Sequence, residues 1–107
     1  MRTIYKYPLN YFSNTLISIQ MPKDAEILHF DNQNEIPTLW AEVNTKADHE
    51  NRHFVFFGTG DKMVGAKFLK YIASALFAEG KFVLHFYEIT NLLEWEIALA
   101  EESKNKG

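Results

Sequence analysis

Apolar and polar residues alternate along most of this chain with the two-residue period of β-strands. The densest apolar run, Lys81 to Glu88, reads Lys-Phe-Val-Leu-His-Phe-Tyr-Glu. It places Phe82, Leu84 and Phe86 on one face and Val83, His85 and Tyr87 on the other. Both faces are largely apolar, which predicts a central strand covered on both sides. Upstream, Thr3 to Tyr7 alternates and is β-branched and aromatic. Pro8 ends it and marks an edge strand, because proline cannot donate to a ladder. Asn10 to Asn14 reads as a turn with Tyr11 and Phe12 folded inward. Thr15 to Met21 is a second strand with Ile17, Ile19 and Met21 on its core face, closed by a Pro22-Lys23-Asp24 turn. Ala25 to Phe30 is a third strand and Asp31 to Glu35 a polar turn. Ile36 to Val43 is a fourth strand, broken near its start by Pro37. Asn44 to Asn51 is polar and reads as a mobile loop. Arg52 to Phe57 is a fifth strand, closed by Gly58-Thr59-Gly60-Asp61.

Two stretches carry a double pattern. In Lys62 to Ala78, Met63, Ala66, Phe68, Leu69, Ile72, Ala73, Leu76 and Phe77 fit a helical stripe. Tyr71, Ala73 and Ala75 also alternate with Ile72, Ser74 and Leu76, and Ala78-Glu79-Gly80 then forms a hairpin loop into the central strand. In Thr90 to Lys104, Leu93, Trp95, Ile97 and Leu99 alternate as a strand would. The Ala, Glu and Leu content favours a helix instead. Thr90 or Asn91 caps that helix, Asn91 with Glu94 forms a variant capping box, and Lys104 and Lys106 suit its C-terminal dipole. Leu92, Trp95 and Leu99 then lie beside Leu93, Ile97 and Ala100 in an apolar arc, with Glu96 near its middle. So wide an arc exceeds what one sheet face can cover, and Leu92, Trp95, Glu96 and Leu99 are the candidate contact residues for another copy or another protein.

The totals narrow the class. A chain of 107 residues suits one domain, with a β core over 1–88 and a helical extension over 89–107. It has no cysteine, which removes disulfides, thiolate metal sites and cysteine nucleophiles and accords with a reducing compartment. Eleven basic residues oppose fourteen acidic ones, for a net charge of −3, and that balance argues against a phosphate-backbone footprint. The N-terminus lacks the apolar core of a signal peptide, and no apolar run approaches the length of a membrane span. The expectation is a cytoplasmic protein that neither enters membranes nor binds nucleic acid. Nine of the sixteen aromatic residues are Phe, which favours strands over a helical bundle.

Several pieces fall in a familiar order: Thr3-Ile4-Tyr5-Lys6-Tyr7-Pro8-Leu9, the Met21-Pro22-Lys23 turn into Ala25-Glu26-Ile27-Leu28, Pro37-Thr38-Leu39-Trp40-Ala41, Gly58-Thr59-Gly60, and Phe82 to Glu88. In this order the chain resembles a family of small phage and prophage proteins known as a domain of unknown function, over residues 1–88. The resemblance implies a compact, mostly β protein and a strand within Lys70 to Phe77. It leaves room for a helical turn at Met63 to Phe68, and it implies no catalytic residues. The chain departs from the pattern at Lys62 to Leu69 and in adding Ile89 to Gly107.

Candidate chemistry is sparse. His29, His53 and His85 sit on separate strands, with no HExxH or His-x-His element to specify a metal site. Gly58, Thr59, Gly60, Asp61 and Lys62 offer backbone N–H groups, a hydroxyl and an ammonium to a phosphate or nucleotide, without the spacing of a Walker loop. Glu42, Glu88 and Asp61 are candidate acid–base carboxylates. Ser74 has no nucleophile elbow. Tyr5, Tyr7, Trp40, Phe54, Phe56 and Tyr87 would stack bases only on an open face near Lys6, Arg52 and Lys81.

The sequence therefore predicts an all-β or β-dominated α+β domain. Its strands form an antiparallel meander of about six or seven, curled into a sandwich or open barrel, plus a C-terminal helix. The function expected is non-enzymatic binding of a host or phage protein, with homo-oligomer formation through the helix and no cofactor or metal. The alternative is a small-ligand or nucleotide module at Gly58 to Lys62.

Overall fold

The computed structural model describes residues 1–9 and 15–105. Seven strands follow in chain order: β1 (Arg2–Pro8), β2 (Ile17–Pro22), β3 (Glu26–Gln33), β4 (Ile36–Asn44), β5 (His49–Gly58), β6 (Leu69–Phe77) and β7 (Phe82–Ile89). A 3-10 turn (Ala66–Phe68) precedes β6, and helix α1 (Leu92–Asn105) follows β7. The strands form two antiparallel sheets, β1-β4-β3 and β2-β5-β7-β6, stacked as an open sandwich with no closed barrel. The turn expected at Asn10 to Asn14 and the C-terminal Lys106 lie outside the described residues.

Period-two patterning builds the interior. Ile17, Ile19 and Met21 of β2 point inward as expected, joined by Leu39, Ala41 and Val43 of β4 and by Phe54 and Phe56 of β5. Phe86 is the hub. Its ring stacks on Phe30 from the facing sheet at 4.6 Å and on Phe54 at 5.0 Å, and tilts against Phe56 at 5.0 Å. The run from Lys81 is thus internal to its sheet, but neither face is covered along its whole length. On the inner face Leu84 and Phe86 are buried while Phe82, at the strand's start, is 43% exposed. On the outer face Ile89 lies under α1, while His85 meets the hydroxyls of Ser74 and Thr59. One short helix cannot roof a four-stranded sheet.

Turns replace several expected loops. Asp31 to Gln33 belong to β3, so the β3–β4 connection shrinks to Asn34 and Glu35, both at positive φ (53° and 67°), as a two-residue hairpin of matching twist requires. Pro37 does not break β4. It pairs opposite Asn32 of β3, whereas the pairing with β1 begins one residue later at Thr38, so the ladder never needs the missing donor. The expected mobile loop from Asn44 to Asn51 is also shorter. His49, Glu50 and Asn51 extend β5 by pairing with Pro22, Met21 and Gln20, and the remaining turn is tied down by Thr45 N–H donating to Met1 and Lys23 N–H donating to Asp48.

The two ambiguous stretches resolve as one strand and one helix. Leu69 to Phe77 is β6, after a helical turn too short to compete. Leu92 to Asn105 is helical, and Asn91 caps it by accepting the Glu94 N–H at 3.1 Å. No helix among the described residues is long and apolar enough to cross a membrane.

Candidate functional site

The Gly58–Asp61 turn folds as a closed unit. Asp61 Oδ2 accepts the Gly58 N–H at 2.7 Å, and the Asp61 N–H returns to the Gly58 carbonyl at 3.1 Å. Gly60 has φ +94°, a conformation that favours glycine. Thr59 Oγ1 shares a hydrogen bond of 2.9 Å with His85 Nε2. His85 Nδ1 shares another of 2.7 Å with Ser74 Oγ, which in turn meets the Tyr71 hydroxyl at 2.8 Å. Ser74 and His85 are direct cross-strand partners of β6 and β7, so register alone makes this hydroxyl–imidazole chain. A depression of about 250 Å³ lies over it, with Phe57, Met63 and Tyr87 beside the turn and His85. Lys62 does not join this depression. Its ammonium donates to Glu102 on α1. Of the five expected ligand residues, four therefore line one hollow, with the Gly58 N–H already spent on Asp61.

The other candidates separate. His29 lies tilted against Trp40 at 5.4 Å on the three-stranded sheet, His53 bonds Ser18 at 2.9 Å, and His85 sits in the hydroxyl chain. The three imidazoles do not converge, and no group of metal-ligating side chains gathers among the described residues. Glu42 pairs with Arg2 on one sheet and Glu88 with Arg52 on the other. Phe54 and Phe56, candidates for base stacking, are fully buried.

Helix α1 divides its apolar arc. Leu92, Trp95 and Leu99 pack on the chain's own sheet with Val55, Phe57 and Ile89, because their helical spacing puts them on one stripe over β5 and β7. Three of the four expected contact residues are thus internal, and Glu96 alone faces outward. The outward apolar positions are Leu93, 68% exposed, and Ile97, 42% exposed, one turn apart. Trp95 is seated on Gly65, where a built Cβ would lie 2.7 Å from the indole Cδ1. Its Nε1 is buried and has no hydrogen-bond partner among the described residues.

A further concavity, about 730 Å³, was not expected from the sequence. It opens where the edge strands β3 and β6 face each other across the two sheets. The inward face of β5 runs Phe56, Phe54, Arg52, Glu50, so the apolar interior ends in charge. Arg52 forms two hydrogen bonds to Glu88, each 2.7 Å, and Arg52 Nη1 donates to the carbonyl of Ala25, the residue before β3. Lys70 lies opposite Glu88 in the β6–β7 register. The hydrogen bonds that Arg52 donates to Glu88 raise the Arg52 pKa above the ordinary arginine value, against the lowering effect of burial. The signal for this row was the period-two face of Phe54 and Phe56 carried two positions further upstream, into residues whose polarity looks like a loop.

No curated protein and no solved structure matches the chain. Residues 1–94 match a family described as a domain of unknown function (DUF7352). That match covers every strand and extends into the first turn of α1, past the resemblance over residues 1–88. The chain belongs to this family.

Proposed function

We propose that this protein is a non-enzymatic binding protein acting through protein–protein contact, and that the outward stripe of α1 is its contact surface. The observation that carries the proposal is the uncovered pair Leu93 and Ile97 on a helix whose opposite side is anchored by Trp95. Paired apolar side chains held in water on a rigid element mark an interface, and Glu94 and Glu96 supply a polar rim. On the resemblance to small phage proteins, the setting is a bacterial host cytoplasm. The partner is then a host factor inhibited by the contact, a phage protein, or a second copy of the chain. The chemistry of the His85 chain supports the non-enzymatic reading: both imidazole nitrogens are taken by hydroxyls, which engages the ring on both sides. A photo-crosslinking benzoylphenylalanine at Ile97 tests the surface. It should yield a discrete covalent adduct with a host protein or a second copy, and the same group at the exposed Lys46, on the β4–β5 turn, should not. Equal adducts from both positions would contradict the proposal.

The hollow beside the Gly58–Asp61 turn favours a second reading, a small ligand or nucleotide held by the turn beside His85 and Tyr87. A thermal-shift screen of nucleotides decides it, since a ligand at a hundred times its dissociation constant adds about 2.7 kcal/mol.

A further inference from the structure

We infer that the cleft between β3 and β6 receives an extended basic segment of a partner protein, added as a strand to the free edge of β6. Each of these strands has a neighbour on one side only, β4 for β3 and β7 for β6. Every second N–H and C=O of such an edge strand points away from its partner and is open to pairing. The two edges face each other without joining. At one end the seam is clipped by side chains: Asn32 Nδ2 donates to the Leu76 carbonyl at 2.9 Å, and the Ala78 N–H reaches the Glu35 carboxylate at 3.1 Å. At the other end lies the cleft, with Asp24 to Ile27 on one lip and Lys70 to Ile72 on the other. Both strands slip register beside it, between Ile27 and His29 and between Tyr71 and Ala73. Bulges of this kind bend a strand and interrupt its ladder. The residues on the two lips span about 10 Å of extended chain, room for three or four partner residues.

Charge selects the occupant. The lining holds four carboxylates, Asp24, Glu26, Glu50 and Glu88, against two cations, Arg52 and Lys70, which leaves two negative charges in excess. The Arg52 charge is matched by the Glu88 carboxylate, and a third N–H is held by the Ala25 carbonyl, so the cation is turned to its own chain and not towards an incoming anion. An incoming strand whose alternate side chains are Lys or Arg complements this lining, while its backbone pairs with Lys70 to Ile72. This site is separate from the outward stripe of α1 and does not rest on it.

The test uses the full chain and a short fluorescein-labelled peptide alternating lysine and valine. Two control peptides carry glutamate for lysine, or N-methyl groups on alternate amides. The expected result is saturable binding of the lysine peptide, with amide NMR shifts at Lys70 to Ile72 and Ala25 to Ile27. Both control peptides and Glu26→Lys should bind about tenfold more weakly or worse, as removal of charge complementarity or strand pairing requires. Lys70→Glu should bind more tightly, and the opposite directions of these two variants separate a charge effect from misfolding. Leu93→Glu with Ile97→Glu should leave peptide binding unchanged, so the two surfaces are judged apart. The inference is overturned by no saturable binding up to about 1 mM, by equal binding of the glutamate or N-methylated peptide, by shifts confined to other residues, or by a cleft filled by a second copy of the chain.

Discussion

Arg52 and Glu88 grip each other through two hydrogen bonds of 2.7 Å where the apolar interior of the sandwich gives way to charge. Both side chains are only 18% exposed. Removing one partner leaves a charge facing a low-dielectric interior, so Arg52→Met or Glu88→Leu alone should cost about 3 kcal/mol. The double variant should cost less than the sum, because no charge is then left alone. Urea unfolding of the four proteins closes the cycle. The raised pKa of Arg52 adds a sign: stability from this group is fully present below the ordinary arginine value. It is lost only as pH rises through the raised one, in strong alkali.

Phe86 should be the most sensitive apolar position. Its ring contacts Phe30 across the two sheets and Phe54 and Phe56 within its own. Phe86→Ala should lose about 3–5 kcal/mol. Phe86→Leu keeps most of the volume and should lose less. Denaturant midpoints at constant m-value measure both.

Much of this framework was legible in the sequence because burial and period agree. Ile17, Ile19 and Met21 alternate cleanly, and so do the inward residues of β7. The charged end of the interior was not legible. Glu50 and Arg52 are core-facing by register, yet Asp48, His49, Glu50 and Asn51 together have the composition of a loop. The turn at Asn34 and Glu35 was hidden for a related reason: Asp31, Asn32 and Gln33 are polar residues in a strand, held there by pairing with Thr38, Pro37 and Ile36. On α1 the spacing gave the arc, but which half meets the sheet depends on how the chain turns at Thr90, whose N–H donates to the Phe68 carbonyl. Trp95 was therefore assigned outward when it points in.

Gly65 and Trp95 should behave as a unit. Gly65 has φ +71°, and a methyl there would press on the indole. Gly65→Ala combines backbone strain with displacement of a buried ring, for a loss of about 2 kcal/mol. In a Trp40→Phe background the Trp95 emission should shift to longer wavelength as the ring is pushed towards water.

Tyr7 gives a prediction in alkali. Burial, with a smaller contribution from Tyr5, raises its pKa above the ordinary tyrosine value. A raised folded-state value means that stability is full below about pH 10 and falls as pH rises towards the folded-state value, because the unfolded chain loses the proton first. Thermal melts from pH 9 upward should show this fall, and Tyr7→Phe should flatten it.

The most direct measurement compares what the immobilised wild-type chain and its Leu93→Glu, Ile97→Glu variant retain from host lysate, alongside sedimentation of each alone. Both positions are exposed, so the variant should melt within about 0.5 kcal/mol of wild type. The account predicts that at least one retained protein, or a self-associated species, is lost from the variant by about tenfold or more while folding is unchanged, the loss expected when a charge is placed at the centre of an apolar contact. Identical retention and identical sedimentation of the two proteins would contradict it.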